Sequence, residues 1–154
     1  LAKNLQQANV SAMDISTGAL TVAKSNAGHN NVAVNFIQQD VLTLNELPEK
    51  YDVIVSNPPY VRELEKAEIE PNVLEFEPHL ALFVSDADPL LFYRKIAQLA
   101  KTGLNPGGRL YFEINQYLGP ETVSLLEDQG FADVVLRKDM YGNNRMIGCV
   151  LKAV

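Results

Sequence analysis

The chain has 154 residues, room for one ordinary domain, with 47% apolar and 21% charged side chains, enough to bury a core and too apolar for a disordered chain. Thirteen Lys and Arg against 19 Asp and Glu leave a net charge of -6 and a pI near 4.9, which argues against a protein that grips nucleic acid mainly through its phosphates. The lone Cys149 excludes an internal disulfide and points to a reducing, cytoplasmic compartment. No apolar run approaches the roughly 18 to 20 residues of a membrane-spanning helix.

Short apolar runs alternate with longer segments of helical period. Asn9 to Ile15 reads as a strand with an acid, Asp14, near its end. Thr17 to Ala27 follows as a helix, with Ser16 as N-cap and Gly28 as stop. Val32 to Gln39 alternates as a strand and closes on Asp40. Tyr51 to Ser56 contains a β-branched run fit for a strand buried on both faces. It stops at Asn57-Pro58-Pro59-Tyr60, because two prolines cannot continue a ladder.

Val61 to Pro89 is acidic and broken by Pro71, Pro78 and Pro89; it reads as short helices mixed with loop, serving either as a substrate-facing flap or as a connector. Leu90 to Thr102 is a helix with Leu91, Ile96, Leu99 and Ala100 on one stripe, ended by Gly103. Leu104 to Gly108 carries turn chemistry, Arg109 to Ile114 is a strand, and Glu121 to Gln129 is a helix closed by Gly130. Phe131 to Lys138 and Met146 to Lys152 form a terminal strand pair around Gly142-Asn143-Asn144.

Strands alternating with helices imply βαβ units and a mostly parallel α/β sheet, here within a single domain, 1-154. The last two strands have no helix between them and must pair antiparallel. In such open sheets ligands bind outside the carboxyl ends of the strands. Asp14, Asp40 and Asn57 to Tyr60 all fall at such ends.

An acid at Asp14 can accept from both hydroxyls of a ribose, or it can simply favour the positive end of the following helix. Asp40 has the same two readings, as a contact to an adenine or as a loop cap. The Asn57-Pro58-Pro59-Tyr60 tetrad points more firmly one way. The Asn57 carboxamide oxygen and the Pro58 carbonyl, held by a rigid ring, can together accept the two protons of a planar NH2 group. Tyr60 offers a flat face for the same group to stack on. Such positioning aims a nitrogen lone pair at an electrophile and needs no general base. The plain alternative is a strand-ending turn.

The tetrad, with Asp14 and Asp40 at the preceding strand ends, resembles the class I S-adenosylmethionine-dependent methyltransferases that modify planar NH2 groups. Glu77 to Leu82, Leu90 to Arg94, Asn105 to Gly108, Phe112 to Ile114 and Asp139 to Arg145 narrow the likeness to the HemK/PrmC family, from about Val10 to Val150. That family methylates the amide nitrogen of the glutamine in the Gly-Gly-Gln motif of peptide-chain release factors. The resemblance implies a Rossmann-like class I methyltransferase fold that takes S-adenosylmethionine and a release factor. It implies that Asp14 binds the cofactor ribose and Ile15 the adenine, with Asp40 and Val41 on the adenine's other side. Asn57 then serves cofactor and substrate alike, and Pro58, Pro59 and Tyr60 complete the substrate site. Glu113 falls near the cleft, with a solvated or helix-capping acid as its other reading.

The family opens its catalytic domain with a strand and a glycine-rich loop, yet nothing before Asn9 contains a glycine. The expectation is therefore a partial domain whose first strand is missing, either weak in cofactor binding or paired as a homodimer. Amine methylation of adenine or guanine in DNA or RNA is the alternative function, and a non-catalytic binding module the second; the acidic charge speaks against direct nucleic-acid binding. His29, His79 and Cys149 have no metal-ligand spacing.

Overall fold

The computed structural model describes residues 1–5, 7–68 and 79–152, and the chain divides into two units, Leu1–Leu44 and Asn45–Val154. In the first unit, β1 (Ser11–Asp14) and β2 (Asn35–Gln38) pair in parallel, Ser11 with Asn35 through Asp14 with Gln38. Between them runs α1 (Thr17–His29), started by the Ser16 hydroxyl accepting from the Ala19 N–H at 3.1 Å. The helix does not stop at Gly28. It runs through His29 to a cap at Asn30, whose carboxamide donates to the Asn26 carbonyl at 2.9 Å. Glycine ends a helix only where the chain must turn left-handed, and here that conformation falls on Asn31, with φ 52°.

The second unit holds a four-stranded mixed sheet in the order β3 (Tyr51–Ser56), β6 (Leu104–Glu113), β8 (Asn144–Leu151), β7 (Phe131–Lys138). β3 and β6 are parallel; β8 is antiparallel to both β6 and β7, as the missing helix between the last strands requires. A small parallel pair, β4 (Val61–Arg62) and β5 (Phe83–Val84), stands apart with the 3-10 turn Glu63–Glu68 and the short α2 (His79–Leu82). The acidic stretch read as flap or connector lies partly outside the described residues, and Glu77 and Pro78 with it.

Among the described residues this unit also has two long helices: α3 (Leu91–Gly103), packed on β6, and α4 (Gly119–Asp128), packed on β7 and β8. The stripe that α3 buries is Tyr93, Ile96, Ala97 and Ala100, spaced i, i+3, i+4 and i+7, with Leu99 beside it. Leu91 stands outside that stripe and is 36% exposed. Leu110 and Phe112 of β6 face Cys149 and Ile147 of β8 in register, and all four are buried. Tyr93 meets Phe112 edge to face at 5.3 Å.

Two strand readings need correction. The turn chemistry at Leu104 to Gly108 lies inside β6, as an irregular stretch where Tyr51 pairs Leu104 but Val53 already pairs Arg109; Gly107 supplies its φ of 77°. β3 is not buried on both faces. It is an edge of its sheet, and Val53 and Val55 are 48% and 59% exposed. β-branched runs favour strands in general and do not say how many faces will be covered.

Candidate active site

In the first unit Asp14, Ile15, Asp40 and Val41 all fall at the carboxyl end of the parallel pair. Asp14 is exposed, and one carboxylate oxygen accepts from the Ser16 N–H at 2.7 Å. Asp40 caps the 3-10 turn Val41–Thr43, accepting from the Leu42 N–H at 2.9 Å. Each acid therefore does the local capping that an isolated strand-end acid would do. Neither is buried or ion-paired by that role. Ile15, 46% exposed, offers apolar surface beside Asp14. A carboxylate at the strand end beside a bare aliphatic side chain is a donor-accepting and apolar pair that suits a nucleoside.

In the second unit the carboxyl ends of β3 and β6 lie side by side, Ser56 opposite Phe112. The tetrad leaves the end of β3 with Asn57 exposed, Pro58 buried, and Pro59 and Tyr60 half-buried. A buried first proline anchors the turn while the preceding carboxamide stays in solvent. Tyr60 is then held from the β6 side. Its hydroxyl donates to Glu113 Oε1 at 2.8 Å, and its main-chain carbonyl accepts from Asn115 Nδ2 at 2.9 Å.

Behind Tyr60 lies a network that sequence reasoning did not find. Asn115 Nδ2 also donates to Glu65 Oε2 at 2.7 Å, and Asn115 Oδ1 accepts from the Tyr117 N–H at 2.9 Å. The Asn115 N–H donates to the buried Tyr93 hydroxyl at 3.2 Å. Glu65, only 5% exposed, is matched by Arg62, which donates from Nε at 2.9 Å, from its main-chain N–H at 3.0 Å, and from a terminal guanidinium nitrogen. Burial pushes the Glu65 carboxyl up, but the bonds from Arg62 and Asn115 outweigh it and leave the group below its ordinary value. Glu113 was singled out in the sequence through Phe112-Glu113-Ile114. Nothing in the spacing of Glu65 and Asn115, fifty residues apart, could have paired them.

The Tyr60 phenol is pushed up to about 12, first by burial and then by its bond to Glu113, with the Arg145 guanidinium pulling the other way. Arg145 stands at the start of β8, and its Nε donates back to Asp139 Oδ2 in the β7–β8 connection at 3.3 Å. The same Asp139 accepts from the Tyr141 and Asn143 N–H groups at 2.9 and 3.0 Å, which folds the loop around Gly142, φ 84°. The segments Asn57 to Tyr60, Phe112 to Ile114 and Asp139 to Arg145 thus come to one end of one sheet. Cys149 is buried in β8 and its thiol is pushed up to about 12 by that burial, so it is core and not a nucleophile. Among the described residues no three His, Cys, Asp or Glu side chains are grouped so as to hold a metal ion.

The profile described as "Methyltransferase small domain" matches residues 1–76. A release factor glutamine methyltransferase from Flavobacterium psychrophilum is 59% identical over 147 residues, covering 96% of this chain and 52% of that protein. Nearly the whole of this chain is therefore similar to about half of a release factor glutamine methyltransferase. A second such protein, from Bacteroides thetaiotaomicron, is 49% identical over 96% of this chain and 53% of its own length. The chain spans about half the length of the curated relatives it matches. A solved methyltransferase from Pyrococcus furiosus aligns with a TM-score of 0.68 at 19% identity, over 99% of this chain and 67% of that one. That likeness shows the fold alone, the α/β class I methyltransferase arrangement expected from the sequence, ending in an antiparallel strand pair.

Proposed function

We propose that residues 1–154 act as one catalytic domain that methylates the side-chain amide nitrogen (N5) of the glutamine in the Gly-Gly-Gln motif of release factors. The observation that carries this reading is the tetrad's own geometry: Asn57 stands in solvent at a strand's carboxyl end, next to a buried Pro58 and a Tyr60 fixed at both ends. The Asn57 oxygen and the Pro58 carbonyl accept the two amide protons, and Tyr60 and Pro59 border the planar group. Asp14 would hold the ribose of S-adenosylmethionine and Ile15, Asp40 and Val41 its adenine, with Asn57 serving cofactor and amide alike. When bound, that cofactor supplies an electrophilic methyl group on a sulfonium. The first unit's donor set fits it, with a solvent-facing carboxylate beside bare aliphatic surface.

A release factor as substrate places the protein in the cytoplasm. It agrees with a net charge of -6, which disfavours direct nucleic-acid binding. Among the described residues no helix is long and apolar enough to cross a membrane.

The test is incubation of the full coding product with radiolabelled S-adenosylmethionine, a purified release factor, and DNA or RNA as competitors. Label in the Gly-Gly-Gln peptide is expected. Label in nucleic acid alone, or in nothing, overturns the reading. Homodimerisation of the 154-residue chain is a separate proposal, supported by the exposed valines on the edge strand β3. Sedimentation equilibrium that shows only monomer at tens of micromolar, on the order of ordinary dimer affinities, removes it.

A further inference from the structure

We propose that Glu113 and Asn115, at the carboxyl end of β6, are positioning residues that clamp Tyr60 by its hydroxyl and its carbonyl, so that its ring presents one fixed face to the substrate amide. This rests on the reading of Tyr60 as part of the amide site.

The clamp is built from both ends. Pro58 and Pro59 fix φ at the two residues before Tyr60, which leaves their ψ angles and Tyr60's own backbone and ring torsions to be held by other contacts. Glu113 removes that freedom at the hydroxyl, at 2.8 Å, and Asn115 fixes the carbonyl, at 2.9 Å. Two residues apart at one strand's end, they reach toward the same side.

Asn115 is itself immobile. Its N–H, its Nδ2 and its Oδ1 are engaged with Tyr93, with Tyr60 and Glu65, and with Tyr117, and it is 4% exposed. A rotation would leave buried polar groups unsatisfied. Through Tyr93, buried against Phe112, the clamp is seated on the core.

Glu113 spends a carboxylate oxygen on the Tyr60 hydroxyl, and the raised phenol keeps Tyr60 a neutral donor through the physiological range. Tyr60 is therefore not poised as a general base. The charged groups facing the hydroxyl are Glu113 and Arg145, and Arg145 is tied back to Asp139. What remains for Tyr60 is geometry, and a ring held in place helps a reaction that depends on alignment.

The experiment uses the full-length protein with Glu113→Ala, Glu113→Gln, Tyr60→Phe and the double variant Tyr60→Phe/Glu113→Ala. Glu113→Ala is expected to lower kcat on the release factor about tenfold, with the cofactor KM unchanged. Glu113→Gln, which still accepts the hydroxyl bond, restores most of it. Tyr60→Phe matches Glu113→Ala, and the double variant is no worse than either. If Glu113→Ala costs as much in the Tyr60→Phe background as in the native one, the proposal is overturned. A second readout is independent of substrate: NMR of ring-13C tyrosine, with Tyr60 identified by its loss in Tyr60→Phe. Its phenol is expected to ionise at lower pH in Glu113→Ala than in the native protein, and an unchanged titration overturns the clamp. Absence of methyl transfer in the native protein would instead sink the proposed function, and the NMR titration still decides the clamp.

Discussion

Asp14 and Asp40 spend carboxylate oxygens on backbone N–H groups two residues away, whereas Tyr60 is held by Glu113 and Asn115, 53 and 55 residues away. Both clusters sit at the carboxyl ends of parallel strands, one in each unit. The local caps order a short turn and leave the acids in or near solvent, as the proposed binding role requires. The long-range clamp ties a motif residue to a buried polar network that is part of the second unit's core. Changes to the first cluster should therefore be felt as lost ligand affinity with little loss of fold. Changes behind Tyr60 should be felt as stability as well as activity.

The largest effect is expected at Asn57. Asn57→Ala removes one of the two acceptors proposed for the amide and should lower kcat about a hundredfold. Because Asn57 is exposed, its melting temperature should stay near native. A large drop in melting temperature would show that the tetrad is a structural turn.

Next comes Glu65→Ala, at the buried partner of Arg62 and Asn115. Breaking a buried ion pair costs about 3 to 5 kcal/mol. The Arg62 side chain keeps 22% exposure, so about 2 kcal/mol is expected here, read by urea unfolding. The pH dependence has a definite sign. The Glu65 carboxyl titrates below its ordinary value in the folded state. Its contribution is therefore present above the unfolded value, about 4.3, and is lost as pH falls through the lower folded one. Glu65→Gln should flatten that acid limb of the stability curve.

Asp14→Asn should weaken S-adenosylmethionine binding about tenfold by calorimetry, the scale of a hydrogen bond to a charged group. Its Ser16 contact can be kept by the carboxamide oxygen, so the fold is expected to hold. The smallest effect is expected at Asp40. Asp40→Ala removes the cap of a single 3-10 turn and should cost about 1 kcal/mol at most in thermal unfolding. A loss at Asp40 as large as at Glu65 would erase the distinction between local caps and a core-seated clamp.

Sequence alone determined what local chemistry and periodicity control. Ser16 starts α1, the prolines after Ser56 end β3 where the ladder must stop, and the absence of a helix after Lys138 makes the last pair antiparallel. The strand-end positions of Asp14, Asp40 and Asn57 were legible for the same reason, since they depend only on where strands finish. Tertiary structure decided what depends on which face of an element meets another. Tyr93 took the core stripe that Leu91 was expected to share, because only the packed helix shows which turn faces β6. β3 became an edge with bare valines, since β-branching does not count neighbours. The partnership of Tyr60, Glu113, Asn115 and Glu65 spans half a hundred residues and exists only once β3 and β6 are in register, because a hydrogen bond between remote side chains leaves no period in the chain.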